Sequence, residues 1–246
     1  MNNFRNAFNQ TPMVVKNIIL INLMMFLLTV VLGFKHYDLN RLLGLYYVGS
    51  SNFQPFQIVT HMFMHGGFTH ILFNMYALWM FGRVLESVWG PKRFFIYYFV
   101  TGIGAAALHM AAMSIEFHVL AAKMDSRSVQ LVLQQGAEIY RQGKNYTDPL
   151  MASMNQLLNT PTVGASGAVF GVLLGFGMLF PNTQLLLLIP PMPIKAKYFV
   201  MIYGAIELYL GFARSGGNVA HFAHVGGMIF GYFLIRYWNK NNNNFY

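Results

Sequence analysis

The residues able to do chemistry in this chain fall in three short stretches. The first is Gly164-Ala165-Ser166-Gly167-Ala168-Val169-Phe170-Gly171. Small neighbours leave the Ser166 hydroxyl open, and a place in the first turn of a helix leaves its backbone N–H without an intrahelical partner. An open hydroxyl beside free backbone donors is what acyl transfer needs, a nucleophile and part of an oxyanion hole. The recurrence of Gly167, Gly171 and Gly175 every four residues equally suits a packing seam between membrane helices. The second stretch is Ala220-His221-Phe222-Ala223-His224-Val225-Gly226-Gly227, and Ala223, Gly227 and Gly231 form a matching seam. Packing one seam on the other brings Ser166 and His224 within hydrogen-bond reach, which makes His224 the general-base candidate. His221 reads as a structural histidine satisfied by a loop. The third stretch, Thr60 to Asn74, holds His61, His65, His70 and Asn74. His70 and Asn74 are i, i+4 on one helix face, and both can donate to a developing oxyanion. A metal site from His61, His65 and His70 competes with that reading, although no carboxylate accompanies the three.

Other chemistries are excluded by what is missing. The chain has no cysteine, so thiol nucleophiles, thiolate metal sites and disulfides are ruled out. Asp38, Asp125 and Asp148 all fall in loops, so a membrane aspartyl protease lacks its pair of acids. No His-Glu-x-x-His occurs, which removes the zincin class. Glu207 lies in the fifth apolar stretch, and Glu86 lies near the inner end of the second, where Arg83 can pair with it. No metal or organic cofactor is called for.

These side chains must be held by helices in a bilayer. Only 9% of the 246 residues are charged, against roughly a quarter in a soluble domain, and mean hydropathy is +0.44. The hydrophobic fraction of 56% excludes a disordered chain. The net charge of +9 is spread singly or in pairs between apolar runs, which does not make a nucleic-acid surface. The pattern predicts an all-α polytopic membrane protein, a single domain over 1–246 with six transmembrane helices at roughly 14–34, 67–88, 93–114, 164–181, 196–213 and 220–238. The polar start, Met1 to Pro12, carries no small-residue cleavage site before the first apolar run, which reads as a retained membrane helix rather than a signal peptide. The fourth span is short and glycine-rich, as befits a helix that begins in a protein-lined or wet cavity.

Arg5, Lys16, Arg83, Lys92, Arg93, Lys195, Lys197, Arg236 and Lys240 gather on one side of this topology. Lys35, Arg41 and Arg214 occupy the short loops of the other. The positive-inside rule then places both termini in the cytoplasm and the site on the outer side. Two excursions face outward. The first, 35–66, can lie partly in the interface through Leu42, Leu43, Leu45, Tyr46 and Tyr47. The second, 115–161, has helical spacing at Val129, Val132, Leu133 and Tyr140 and a capped start at Asp148-Pro149, which predicts a helical hairpin on the outer surface. The run Asn241–Asn244 reads as a polar tail.

In this order on the second, fourth and sixth spans, His70-x-x-x-Asn74, Gly164-x-Ser166-Gly167 and Ala223-His224-x-x-Gly227-x-x-x-Gly231 resemble the rhomboid intramembrane serine proteases of the bacterial six-span type. The resemblance covers about residues 14–238 and implies a bacterial cytoplasmic (inner) membrane. It implies a rhomboid-like bundle with a Ser–His dyad and no third carboxylate, with Ser166 as nucleophile and His224 as general base. It also implies an oxyanion hole from the Ser166 N–H, His70 and Asn74, supported by Gly164, Gly167, Phe170 and Gly227. The substrates it implies are single-pass or other membrane-anchored proteins, cleaved without a cofactor in a cavity open to the outer face. The fifth span and the loop around Gly211–Gly217 would act as a lateral gate. Three departures stand out. Phe170 replaces a frequent tyrosine that stacks on the catalytic histidine. Phe56-Gln57 replaces a frequent Trp-Arg, which leaves the anchoring of the first outer loop open. The insertion at 115–161 is longer than a minimal core needs and can influence substrate approach. A non-enzymatic polytopic protein, such as a transporter or an inactive binding relative, is the alternative, and a histidine-based metal carrier a further one.

Overall fold

The computed structural model describes residues 10–186, 191–213 and 220–241. Arg5, Arg214, the Ser215–Gly217 part of the expected gate loop and Asn242–Asn244 lie outside them. Helix α1, Met13–Gly33, follows Pro12, and its first free N–H groups, on Val14 and Val15, donate to the Glu86 carboxylate at 2.9 and 2.8 Å. A carboxylate at a helix N-terminus satisfies orphan donors and the positive end of the dipole together. The pairing of Glu86 with Arg83 gives way to this contact, and the Arg83 guanidinium instead lies over the Trp79 ring at 4.4 Å.

The segment between α1 and the next long helix contains two short helices, α2 (Leu39–Leu43) and α3 (Gln57–Thr60), with a tight 3-10 turn at His61–Phe63. Its anchor is Gln57, whose side chain is 1% exposed. The amide oxygen accepts from the Gln54 and Tyr46 N–H groups, and the amide nitrogen donates to the Leu42 and Asn52 carbonyls. One neutral side chain thus ties the two ends of the loop together. Leu45, Tyr46 and Tyr47 are buried, while Leu42 stays exposed.

Helix α4, Phe68–Ala77, passes through a π-helical turn at Leu78–Gly82 into α5, Arg83–Ala122. Gly90 breaks α5 with φ 77°, a conformation that glycine adopts freely, and Pro91 restarts it. Helix α5 therefore runs about two turns past the end expected for the third apolar stretch at 114. Within the insertion, α6 (Ser126–Arg141) and α7 (Pro149–Asn159) are capped by Asp125 and Asp148. Val132, Met154, Leu157 and Leu158 pack with Tyr47, Met113 and Leu120. The hairpin so rests on the end of α5 and on the loop that follows α1.

Helix α8, Ser166–Leu179, is followed by a small antiparallel pair, β1 (Gln184–Leu186) and β2 (Pro193–Lys195), which the all-helical reading did not contain. Helices α9 (Ala196–Ala213) and α10 (Ala220–Asn241) complete the chain. Among the described residues, Met13–Gly33, Phe68–Ala122 and Ala196–Ala213 are long and apolar enough to cross a membrane. The break at Gly90 divides the second of these. Helix α8, at 14 residues, is about 21 Å long, short of a ~30 Å hydrocarbon core, and α10 falls outside the set.

The two glycine seams meet at one layer only. A Cβ on Gly227 would collide with the Gly167 carbonyl, so α8 and α10 touch backbone to backbone there. Deeper in the bundle α5 comes between them, with Thr101 against Gly171 and Tyr97 against Gly231. The Tyr97 hydroxyl donates to the Gly171 carbonyl at 2.7 Å. Trp89 packs on Trp238 at the end of the bundle where Glu86 holds the start of α1. The first loop, the insertion and the start of α8 share the opposite end, where Leu45 and Thr162 exchange two backbone hydrogen bonds of 2.9 and 2.8 Å.

Candidate active site

The chain enters α8 through a fixed turn. The Gly164 N–H donates to the His61 carbonyl at 2.9 Å, and His109 Nε2 lies 2.6 Å from the Thr162 hydroxyl. Gly164 itself has φ 136°, where a side chain is strained, and a Cβ there would stand 2.9 Å from the His70 ring. Glycine at this position lets His70 approach the start of the helix. Ser166 is the first residue of α8, so its N–H has no partner one turn back in the helix.

From α10, His224 places Nε2 at 2.9 Å from Ser166 Oγ. The Phe170 ring, one turn into α8, stacks on the His224 ring at 4.2 Å and 5°. Tyr203 and then Phe199, both on α9, continue that stack. The stack holds the imidazole plane between two helices without needing the hydroxyl that Phe170 lacks.

The Nδ1 edge of the histidine brings a departure. Glu207 on α9, one turn beyond Tyr203, directs Oε2 at His224 Nδ1 at 2.8 Å and at His221 Nδ1 at 2.6 Å. The resemblance implied no third carboxylate, yet one stands behind His224, and His221 is satisfied by it rather than by a loop. Glu207 is 7% exposed on a helix whose other side chains are mostly apolar and outward-facing. An acid inside an apolar span was the available signal. Its register against α10 was not, because the sequence does not give the rotation of one helix against another.

His70 and Asn74 sit on α4 and line, with Ser166, His224, Phe73 and Tyr203, a cavity of about 550 Å³ between α4 and α9. The Asn74 amide donates one bond to the His70 carbonyl at 3.0 Å, which leaves its second N–H for another acceptor. A smaller cavity of about 170 Å³ lies behind Ser166, against Gly102 and Ala105 of α5, and His70 borders both.

The three histidines of the metal alternative do not converge as ligands. His61 Nδ1 donates to the Gln57 carbonyl at 2.8 Å, and His65 is 2% exposed, with both ring nitrogens buried and unpartnered and its ring against His70. Burial pushes His61 and His65 down to about 4, so both are neutral at ordinary pH. Among the described residues, Glu207, His221 and His224 are the set whose ligand atoms converge, all within 4.8 Å of one another.

The chain matches over residues 16–245 the model of a family described as "Eukaryotic integral membrane protein (DUF1751)". It is 27% identical over 183 residues to Rhomboid protein 1, mitochondrial, of Saccharomyces cerevisiae, covering 74% of this chain and 42% of that protein. It is 24% identical over 225 residues to Rhomboid-like protease 3 of Toxoplasma gondii, covering 89% of this chain and 66% of that one. It is 26% identical over 182 residues to Rhomboid protease GluP of Bacillus subtilis, covering 72% of this chain and 25% of that one. The chain thus spans less than two thirds of the length of each of these relatives. The matches do not support the bacterial subtype or the bacterial inner membrane expected from the sequence, since the family is described as eukaryotic and the yeast relative as mitochondrial.

Proposed function

The chain belongs to the rhomboid family of membrane proteins, and on that premise we propose that it is an intramembrane serine endopeptidase. The observation that carries this reading is the 2.9 Å contact between Ser166 Oγ and His224 Nε2 beside a cavity bordered by His70 and Asn74. In the proposed reaction Ser166 Oγ attacks the scissile carbonyl and its proton passes to His224 Nε2. The Ser166 N–H, His70 and Asn74 stabilise the tetrahedral oxyanion. His224 then protonates the leaving amine, and a water that it deprotonates hydrolyses the acyl-enzyme. Gly164 and Gly167 keep the nucleophile approachable, Phe170 fixes the imidazole plane, and Gly227 allows the helices to close.

The substrates are membrane-anchored proteins whose transmembrane segment enters between α4 and α9. Such a segment must unwind first, because an intact helix hides its carbonyls in intrahelical bonds. Small residues at the cleaved position and helix-breakers beside it are therefore favoured. The end of the bundle that carries Lys92, Arg93, Arg236 and Lys240 faces the cytoplasm, with both termini there, and the Ser166 end opens to the outer side.

Reaction of the purified protein with a fluorophosphonate tests the chemistry. The reading expects a covalent adduct on Ser166, lost in Ser166→Ala and His224→Ala. A folded protein that forms no adduct would mark a binding relative without catalysis.

A further inference from the structure

Two donors on one carboxylate oxygen define a state of the histidine. Glu207 Oε2 lies 2.8 Å from His224 Nδ1 and 2.6 Å from His221 Nδ1, and an ionised carboxylate can only accept. Both Nδ1 atoms therefore carry their protons. A neutral His224 with its proton on Nδ1 presents the lone pair of Nε2, and that atom faces Ser166 Oγ at 2.9 Å. In the opposite tautomer an N–H on Nε2 would face the hydroxyl, with no lone pair there to take its proton.

From this geometry we propose that Glu207 is the positioning residue of the site, and that the chain works as a Ser166–His224–Glu207 triad whose acid His221 holds in place. The inference rests on the hydrolase reading and adds to it. When Ser166 Oγ gives up its proton to Nε2, His224 becomes an imidazolium with both nitrogens protonated. The Glu207 charge behind it then opposes the positive charge at the moment it forms. His221 uses one N–H to fix the oxygen that His224 needs, and its position one turn before His224 puts both rings on the same carboxylate.

The placement of Glu207 supports a role beyond packing. Helix α9 buries Ala196, Val200 and Glu207, while Met201, Ile202, Leu208, Tyr209 and Phe212 face outward. An acid on such a helix is costly in lipid unless it is paired, and the two histidines that pair with it both belong to the last helix, at the site. Among the described residues, Tyr203 and His70 are the remaining titratable side chains around the pair. Tyr203 lies one turn below Glu207, and His70 borders the shared cavity.

The test uses the full chain in detergent and two readouts, the rate of fluorophosphonate reaction at Ser166 and the tautomer of His224 from imidazole nitrogen-15 resonances. The unaltered protein should react and show a protonated Nδ1 with an unprotonated Nε2. Glu207→Gln can turn its amide N–H towards Nδ1, so the rate should fall about 10²- to 10⁴-fold and the Nε2-protonated tautomer should appear. Glu207→Asp keeps the charge at longer range and should recover part of the rate and the original tautomer. A Gln variant with unchanged rate and tautomer would overturn the inference while leaving the hydrolase reading intact. Should Glu207→Gln fail to fold, the unaltered protein decides, and an Nε2-protonated His224 in it would overturn the inference. Loss of reaction on adding a chelator would overturn it too, by making Glu207, His221 and His224 a metal site. An unaltered protein with no Ser166 adduct would remove both readings.

Discussion

A handful of side chains decide whether the site exists, and each has a separable physical job. Gly164 supplies a backbone conformation and a gap, with φ 136° and the His70 ring where a Cβ would stand. Gly164→Ala should therefore cost about 1–3 kcal/mol of stability and reduce Ser166 labelling more than tenfold, read by thermal unfolding and adduct formation on the same sample. Gln57 has a structural job, since four backbone groups depend on its amide. Gln57→Ala should destabilise by about 1–3 kcal/mol, because four hydrogen bonds of a buried side chain are lost together. Unfolding of the variant at the unaltered midpoint would contradict that assignment. Ser166 and His224 were legible because their small-residue settings mark them out in a row of letters. Glu207 was visible as an acid in an apolar span but not as a partner of His224. Gln57 looked only like the absence of another anchor, because its four bonds join Leu42, Tyr46, Asn52 and Gln54, which no short motif connects.

Between elements, the crossing of α8 and α10 at Gly167 and Gly227 sets the Ser166–His224 distance. Gly227→Ala puts a methyl group into the Gly167 carbonyl and should move α10 off α8. Labelling should collapse in that variant while helical content, followed by circular dichroism, persists. The loop between α1 and α4 carries a pH dependence. Burial holds His61 and His65 at about 4, whereas the unfolded chain has them at an ordinary 6.5. Between those values the unfolded chain binds more protons than the folded one, so stability is full above pH 6.5 and falls as pH drops towards 4. The unfolding midpoint in detergent should accordingly be lower at about pH 5 than at about pH 7.5, and His65→Phe should flatten the difference. An equal or steeper drop in His65→Phe would remove His65 from that account. The expected apolar stretches overlap α1, α4, α5, α8, α9 and α10, and the caps at Asp125 and Asp148 follow from side chains next to the helices they start. The extension of α5 to Ala122 was hidden, because Glu116 and His118 interrupt the apolar run while Phe117 and Leu120 continue the helix against the insertion. The seams were legible as seams, but the wedge of Thr101 and Tyr97 between them depends on a third helix.

The whole molecule sorts its parts to two ends, with the N-terminus of α1, Gly90 and Trp238 at one and the start of α8, the first loop and the insertion at the other. The absence of cysteine makes the proposed orientation directly measurable. In intact cells a membrane-impermeant maleimide should modify Ser51→Cys and spare Lys92→Cys, and the reverse pattern would invert the topology. The scarcity of charge and the lack of thiols narrowed the chemistry to a serine and histidines, and the same composition left open which helix would supply the acid. The central claim, peptide-bond hydrolysis inside a membrane by Ser166, is tested most directly by reconstituting the full chain in liposomes with single-span reporter proteins carrying small residues and helix-breakers in the outer half of the span. Mass spectrometry should find cleavage within or beside that span with the unaltered protein and none with Ser166→Ala. Equal cleavage by the two proteins, or none by an unaltered protein that is folded and correctly inserted across a panel of such reporters, would contradict it.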